Sequence, residues 1–406
     1  MSVSKEIPVD SPLKGVRVLE IAQFIAGPFA GQQLADYGAE VIKIERPGGG
    51  DPFRTYVGGR NVPNYGCNFR AFNRNKKSVA LDLGSPEARE IIKKIAAETD
   101  VVLENFRPGV MDRLGIGYEA LKEINPGIIY CAVAGFSADG PFRNRPAFDT
   151  VGQALSGILY LFTDHENPVL RGPTVSDQVT GMQAATAILA KLRAKEVTGE
   201  GGRIDITMVD ASVSFIPDFY AGYTDAQIVP TWDSRGATSQ ACIMTCADGK
   251  LIAVQLGALE KAFFALIELL GCPQLATDPR FAKQADRRAN WGEFINVMRP
   301  YFAARPLAHW MEGFAEKGVP YAEILTIPEV YESPEVVHGK LFETREHPIA
   351  GPVTMVRRSA RLSGSRGPAQ NFPPLLGEHS QEILSRIGYT NEEISNLSEQ
   401  GIVINS

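Results

Sequence analysis

Short apolar runs alternate with amphipathic stretches over the first part of the chain. GVRVLEIA (15–22) is apolar and rich in β-branched residues, as a buried strand should be. AGPFAGQQLADYGA (26–39) follows with helical spacing, and Gly38 offers a stop. EVIKIERP (40–47), SVALDL (78–83), VVLENF (101–106) and IIYCAVAGF (128–136) are further short apolar runs. Between two of them, SPEAREIIKKIAAETD (85–100) reads as a helix. Ser85 can cap it, Pro86 fits the first turn, and Glu87 and Glu90 favour its positive end. Repeated strand–helix–strand units with short connections predict an α/β fold with a doubly wound parallel sheet.

After about residue 220 the pattern changes. DAQIVPTWDSRGATSQ (225–240) is polar, carries Pro and Gly, and reads as a linker or loop. CIMTCADGKLIAVQL (242–256) predicts two short strands around an Asp248-Gly249 turn. From Glu260 to about Lys317 the periodicity is helical, and 320–340 leads back to an extended region near GPVTMVRR (351–358). A smaller α+β domain over 225–325 is expected.

Composition narrows the function classes. A length of 406 residues suggests two to three domains. The net charge of −6 leaves no broad basic surface for nucleic acid or anionic lipid. Five cysteines in a chain this long do not make a disulfide framework. The opening MSVSKEIPVDSP has no apolar signal core, and no apolar run reaches the ~18 residues of a membrane helix. A soluble cytoplasmic enzyme is expected, with neither nucleic acid nor membrane as partner.

Candidate chemistry is then sought motif by motif. The first strand–helix junction, from Ala22 to Gly31, lacks G-x-G-x-x-G, and Pro28 sits where close phosphate approach needs a free backbone. A nicotinamide cofactor is therefore not expected. His165, His309, His338, His347 and His379 are scattered, and Cys242 and Cys246 have no second pair at zinc spacing, so no metal is expected. Ser137 sits in a glycine-bracketed turn whose fifth place is Asp139, which breaks the nucleophile-elbow pattern.

VLRGPTVSDQVTGMQAATAILAKL (169–192) is more informative. Met182, Ala185, Leu189 and Leu192 form an apolar stripe, so a helix is expected to begin near Asp177 and Gln178. Asp177 then has two readings. One is an ordinary N-cap; the other is a carboxylate nucleophile, kept ionised by the helix end and able to attack an activated acyl group. Arg46, Arg107 and Arg113 follow predicted strands, at the end of a parallel sheet where ligands bind, and suit an anionic ligand.

With these residues in place, the chain resembles the class III CoA-transferases, the CaiB/BaiF family of formyl-CoA and carnitine CoA-transferases. The likeness runs through PLKGVRVLEIAQFIAGPFAGQQLADYGAEVIKIERPGGGDPFR, NRNKKSVALDL and DVVLENFRPGVMDRLGIGYEALKEINPGIIYCAVAGF, then GEGGRIDITMVDASVSF and PPLLGEHSQEIL. The resemblance implies that Asp177 is the nucleophile and that Asp149 supports the intermediates. It implies that Arg46, Leu81, Asp82, Asn105, Phe106, Arg107 and Arg113 line the CoA nucleotide. Ala147 and Phe148 would run along the pantetheine, with Ile25 and Ala26 also on the CoA side. It further implies a large Rossmann-like CoA-binding domain begun by 1–224 and completed by 326–406, around the smaller domain. The expected assembly is an interlocked-ring homodimer, or a heterodimer with a related chain. No permanently bound cofactor is implied; coenzyme A enters as the acyl-CoA substrate.

Two departures bear on substrate. Some members carry a glycine run in the small domain that folds over the intermediate, whereas 234–240 here has one glycine. The formyl-CoA enzymes have His and Gln where this chain has Gln23 and Ile25, which argues against formyl or oxalate specificity and for a more apolar acyl pocket. The 2-methylacyl-CoA racemases share the fold and need a histidine that would fall at Phe148. A subunit of a heteromeric transferase is the remaining alternative.

Overall fold

In the computed structural model, which describes residues 9–57, 62–257, 259–368 and 370–404, the first apolar runs form parallel strands. These are β1 (Arg17–Ile21), β2 (Glu40–Glu45), β3 (Lys76–Leu81), β4 (Val101–Glu104) and β5 (Ile129–Ala134). A sixth, β6 (Gly202–Thr207), pairs with β5 in the same sense. The smaller sheet comprises β7 (Ala241–Thr245), β8 (Leu251–Gln255) and β9 (Tyr321–Glu323). A hairpin pairs β10 (Phe342–His347) with β11 (Gly351–Val356). Finally β12 (Val403–Ile404) joins the large sheet, whose order is β12-β3-β2-β1-β4-β5-β6. Since β12 runs antiparallel to β3, the central sheet is mostly rather than wholly parallel.

The described residues divide into two units, one drawn from Met1–Leu159, Gly172–Pro217 and Glu335–Ser406, the other from Tyr160–Arg171 and Asp218–Pro334. In the first, both faces of the sheet are covered. Val18, Val41, Leu103 and Cys131 pack against Ala30 and Leu34 of the helix Ala26–Asp36 and Ala184 and Ile188 of the helix Val175–Thr198. On the opposite face Leu19, Ile42, Val79 and Val102 meet Ile91 and Ile95 of the helix Pro86–Ala97, together with Ile383 and Ile394. The expected cap is present, with the Ser85 side chain accepting the Ala88 N–H at 3.0 Å. Period-2 alternation is absent from β1–β5 because both faces are buried.

The second unit packs helices on its antiparallel sheet around an aromatic core of Phe263, Phe281, Trp291, Phe294, Phe302, Trp310 and Phe314. The Asp248-Gly249 turn joins β7 to β8, with Gly249 at φ 77°. The stretch expected to be loop, 225–240, instead contains the helix Ser234–Ser239. Its end is fixed by tertiary contacts. Buried Gln240 adopts φ 46°, donates to the Gly257 carbonyl at 3.0 Å and accepts from Arg287 Nε at 2.7 Å. Among the described residues no helix is long and apolar enough to cross a membrane.

Candidate active site

The long helix Val175–Thr198 starts two residues before Asp177, so Thr174 is its N-cap and Asp177 lies inside the first turn. That removes the N-cap reading. The expected apolar stripe is also displaced: Ala185 is buried with Ala184 and Ile188, while Met182 and Leu189 are exposed. Helix contacts too close for any side chain set the position of this turn. A Cβ on Gly181 would lie 2.6 Å from the Ala26 carbonyl oxygen, and one on Gly152 would lie 2.1 Å from Ser176 Oγ. The helices Ala26–Asp36 and Asp149–Leu155 therefore press directly on the turn that carries Asp177.

Asp149 opens the helix Asp149–Leu155 and is buried. Its Oδ1 accepts the Asp177 backbone N–H at 3.2 Å, and its Oδ2 accepts Gln153 Nε2 at 2.6 Å. Gln153 Nε2 also donates to the Pro173 carbonyl at 3.2 Å, which ties the chain just ahead of the long helix. Burial pushes the half-buried Asp177 carboxyl up to about 7, and the nearby Asp149 carboxylate adds to the rise. The helix end was expected to keep Asp177 ionised; desolvation and a neighbouring carboxylate outweigh that dipole.

Asp177 borders a hollow of about 380 Å³ at the ends of β1, β4 and β5. Ile25 and Ala26 line it from the helix start after β1. Asn105, Phe106 and Arg107 line it from the segment after β4, and Ala147 and Phe148 from the approach to Asp149. A second hollow of about 280 Å³ lies at the ends of β1–β3, lined by Arg46, Leu81 and Asp82. Gln23 and Phe106 border both, so the two are adjacent. Arg113 lines neither and is exposed on the short helix Val110–Arg113.

Three features of the site were not read from the sequence. Arg143 and Arg145 line the Asp177 hollow, and the charge pattern FRNRPAFD just ahead of Asp149 could have flagged them. The Asn105 amide is committed to the backbone: its Oδ1 accepts the Gln23 N–H at 2.9 Å and its Nδ2 donates to the Gln23 carbonyl at 2.7 Å. Its side chain thus holds the loop after β1. Phe24, in that loop, has φ 65°, a conformation that costs a non-glycine residue roughly 1–2 kcal/mol.

A crevice at the carboxyl ends of a mostly parallel sheet, with arginines and a carboxyl of raised pKa, has the make-up of an enzyme site open to an anionic ligand. The family model for CoA-transferase family III matches residues 13–380. The chain is 35% identical to human succinyl-CoA:glutarate CoA-transferase, over 97% of this chain and 90% of that protein. It is 30% identical to the succinyl-CoA–L-malate CoA-transferase beta subunit of Chloroflexus aurantiacus, over 97% of this chain and 98% of that one. The crystal structure of a CaiB/BaiF family protein from Brucella suis superposes with a TM-score of 0.82 at 30% identity, covering 93% of this chain and 100% of that one. The chain belongs to CoA-transferase family III and is a CoA-transferase.

Proposed function

We propose that this protein moves CoA from an acyl-CoA donor, with succinyl-CoA the first to try, to a free carboxylic acid, and that Asp177 is the nucleophile. The observation that carries this reading is the Asp177 carboxyl bordering the hollow, with Asp149 bonded behind it at the Asp177 N–H. The ionised Asp177 oxygen attacks the donor thioester carbonyl, the C–S bond breaks, and an aspartyl–acyl anhydride and CoA thiolate result. The thiolate attacks the aspartyl carbonyl of that anhydride, which releases the donor acid as its carboxylate and leaves β-aspartyl-CoA. The acceptor carboxylate then attacks the thioester, and the returning thiolate takes the acceptor's acyl carbon, restoring Asp177. Anhydride and thioester both hydrolyse, so the hollow must exclude water during turnover.

Asp149 has two roles in this scheme. It fixes the first turn through the Asp177 N–H, and its charge raises the proton affinity of the nucleophile. The nucleotide of CoA would lie across the second hollow, with Arg46 and Arg107 at its phosphates and Leu81 and Asp82 beneath. The pantetheine would pass Ala147 and Phe148 towards Asp177. A racemase needs a histidine partner for its acid–base pair, and no histidine lines the hollow.

The assembly in this reading is an interlocked homodimer, consistent with the exposed Met182 and Leu189 on the long helix. A relative named as a beta subunit supports a second arrangement, in which a related chain replaces the identical partner. The large domain would be completed by the segment after the smaller one.

The test is incubation with succinyl-, acetyl- and butyryl-CoA in the presence of hydroxylamine, followed by mapping of modified residues by mass spectrometry. A donor-dependent hydroxamate on Asp177 is expected. Intact CoA binding without modification by any donor would overturn the Asp177 route for this chain alone.

A further inference from the structure

The loop joining β1 to the helix Ala26–Asp36 is gripped at successive backbone groups by side chains from elsewhere in the sheet. Lys43 Nζ donates to the Ala22 carbonyl at 2.6 Å. The Asn105 amide takes both the N–H and the carbonyl of Gln23. Asp51 Oδ1 accepts the Phe24 N–H at 3.1 Å and the Phe53 N–H at 3.0 Å. The grip is joined underneath, because Lys43 Nζ lies 3.0 Å from Asp51 Oδ2 and 3.1 Å from Glu20 Oε1. Lys43 and Glu20 are fully buried, and Asp51 is 3% exposed. Burial alone would neutralise the Lys43 ammonium; the Asp51, Glu20 and Glu45 carboxylates more than reverse this and raise its pKa.

Such an ionic group is a poor device for stability, because desolvation offsets most of the attraction between buried charges. It does fix geometry. The loop needs that, since Phe24 occupies the left-handed region, which an aromatic residue avoids without outside constraint. Held there, the Phe24 ring meets Phe53 edge-on at 5.5 Å and Phe148 edge-on at 5.6 Å. Phe24 and Phe148 both line the hollow that Asp177 borders.

We propose, building on the CoA-transfer reading, that Asp51 seated on Lys43 is a positioning residue for acceptor choice: it sets the Phe24 ring as an aromatic wall of the acyl pocket, selecting carboxylic acids with an apolar carbon segment over the smallest acids. Asp51 borders the second hollow, but its Oδ1 is taken up by the Phe24 and Phe53 N–H groups and its Oδ2 faces Lys43. It acts through the backbone of Phe24, and the selectivity lies in the ring that this backbone presents.

The test compares acceptor acids of increasing chain length, acetate through hexanoate, with one CoA thioester donor. For the wild-type enzyme kcat/KM should rise with chain length. In Asp51→Asn the ratio of hexanoate to acetate, measured at one saturating donor concentration, should fall about tenfold. Because Asp51→Asn can also weaken folding, Phe24→Gly supplies a second variant. Glycine accepts φ 65° without strain and leaves the buried ions untouched, and it should lose the same selectivity while unfolding no more readily than Phe24→Ala. A merely structural role would lower kcat/KM for all acceptors by one common factor in both variants, and that result would overturn the proposal. An unchanged ratio in Phe24→Gly would overturn it equally. Hydroxamate labelling of Asp177 in the wild-type protein tests the transfer reading separately: labelling with unaltered selectivity in the variants rejects only the positioning role, and absence of labelling rejects the transfer reading itself.

Discussion

Both units have apolar cores, but they differ in what else they bury. The smaller one fills its core with rings: Trp310 stacks on Phe302 at 4.3 Å, and Phe281 and Phe294 lie 5.1 Å apart. Arg287 is its only buried cation among the described residues. The larger unit buries Glu20, Lys43, Glu45, Asp51, Arg54 and Lys76 at and below the strand ends next to the site. Arg54, for example, donates to both Glu45 oxygens at 2.6 and 2.7 Å. An aromatic core gains free energy from burial and contact and tolerates several backbone solutions. A network of buried ions gains little net free energy, but its directional bonds allow few backbone solutions. One such network lies where one loop must hold one shape, and another joins Asp36 to Arg74 and Arg358, whereas the smaller unit relies on rings.

The sharpest way to break this contrast is at Asp177, the nucleophile of the proposed route. Asp177→Asn should lower transfer by about 10⁴-fold or more while leaving the far-ultraviolet circular dichroism unchanged, as loss of an essential nucleophile does. A folded but active variant would remove Asp177 from the mechanism. Next in size, Trp310→Ala should destabilise the protein by about 3–5 kcal/mol in denaturant melts, with kcat per folded molecule unaltered. A fall in kcat as well would show that the aromatic core also tunes the chemistry.

Acidity gives the third comparison. Because the Asp177 carboxyl is raised to about 7, the proposed nucleophile carries a proton below that pH. Transfer should therefore rise about tenfold per pH unit on approaching neutrality from below and level off above it. A rate profile flat from pH 5 to pH 8 would contradict this. The same shift has a stability sign. Between the ordinary value of 3.8 and about 7 the folded carboxyl holds a proton that the unfolded chain has released, so stability falls as pH rises through that window. Asp177→Asn should then melt higher than wild type at pH 8 and lose that advantage below pH ~4. The smallest contrast is between two arginines. Arg107→Ala, at the hollow, should raise KM for the donor about tenfold through a lost phosphate contact, whereas exposed Arg113→Ala should leave it near wild type.

The alternation of strand and helix was legible because β1–β5 are buried along most of their length and their apolar runs are interrupted by few polar residues. Lys43 within EVIKIE reads as a surface residue on pattern alone, and its partners Glu20 and Asp51 come from other segments. The helix Ser234–Ser239 is hidden because a Gly-containing polar stretch favours loop locally, and its end is fixed by the distant Gly257 and Arg287 bonds of Gln240. Asp177 could be placed at a helix start from the stripe, yet the stripe's phase was misjudged: Met182 and Leu189 face outward. Its raised proton affinity comes first from burial and then from Asp149, joined to it by a contact between two separate helices, and no local spacing encodes either. The left-handed Phe24 is equally silent in sequence, because aromatic residues rarely adopt that region and the bond from Asp51 spans two strands.

The short strand β12 has a consequence for biosynthesis. It covers the last two residues of the β3 edge, pairing Val403 with Leu81 and Ile404 with Ala80, beyond His379, whose N–H donates to the Ser78 carbonyl at 2.9 Å. A ribosome adding roughly 5–20 residues per second needs tens of seconds to travel from Leu81 to Val403. Throughout that interval the nascent sheet has an open hydrogen-bonding edge on β3, a template for pairing with any extended segment nearby. Chain fragments that stop short of His379 keep that edge permanently, and should be the species that chaperones hold and proteases remove.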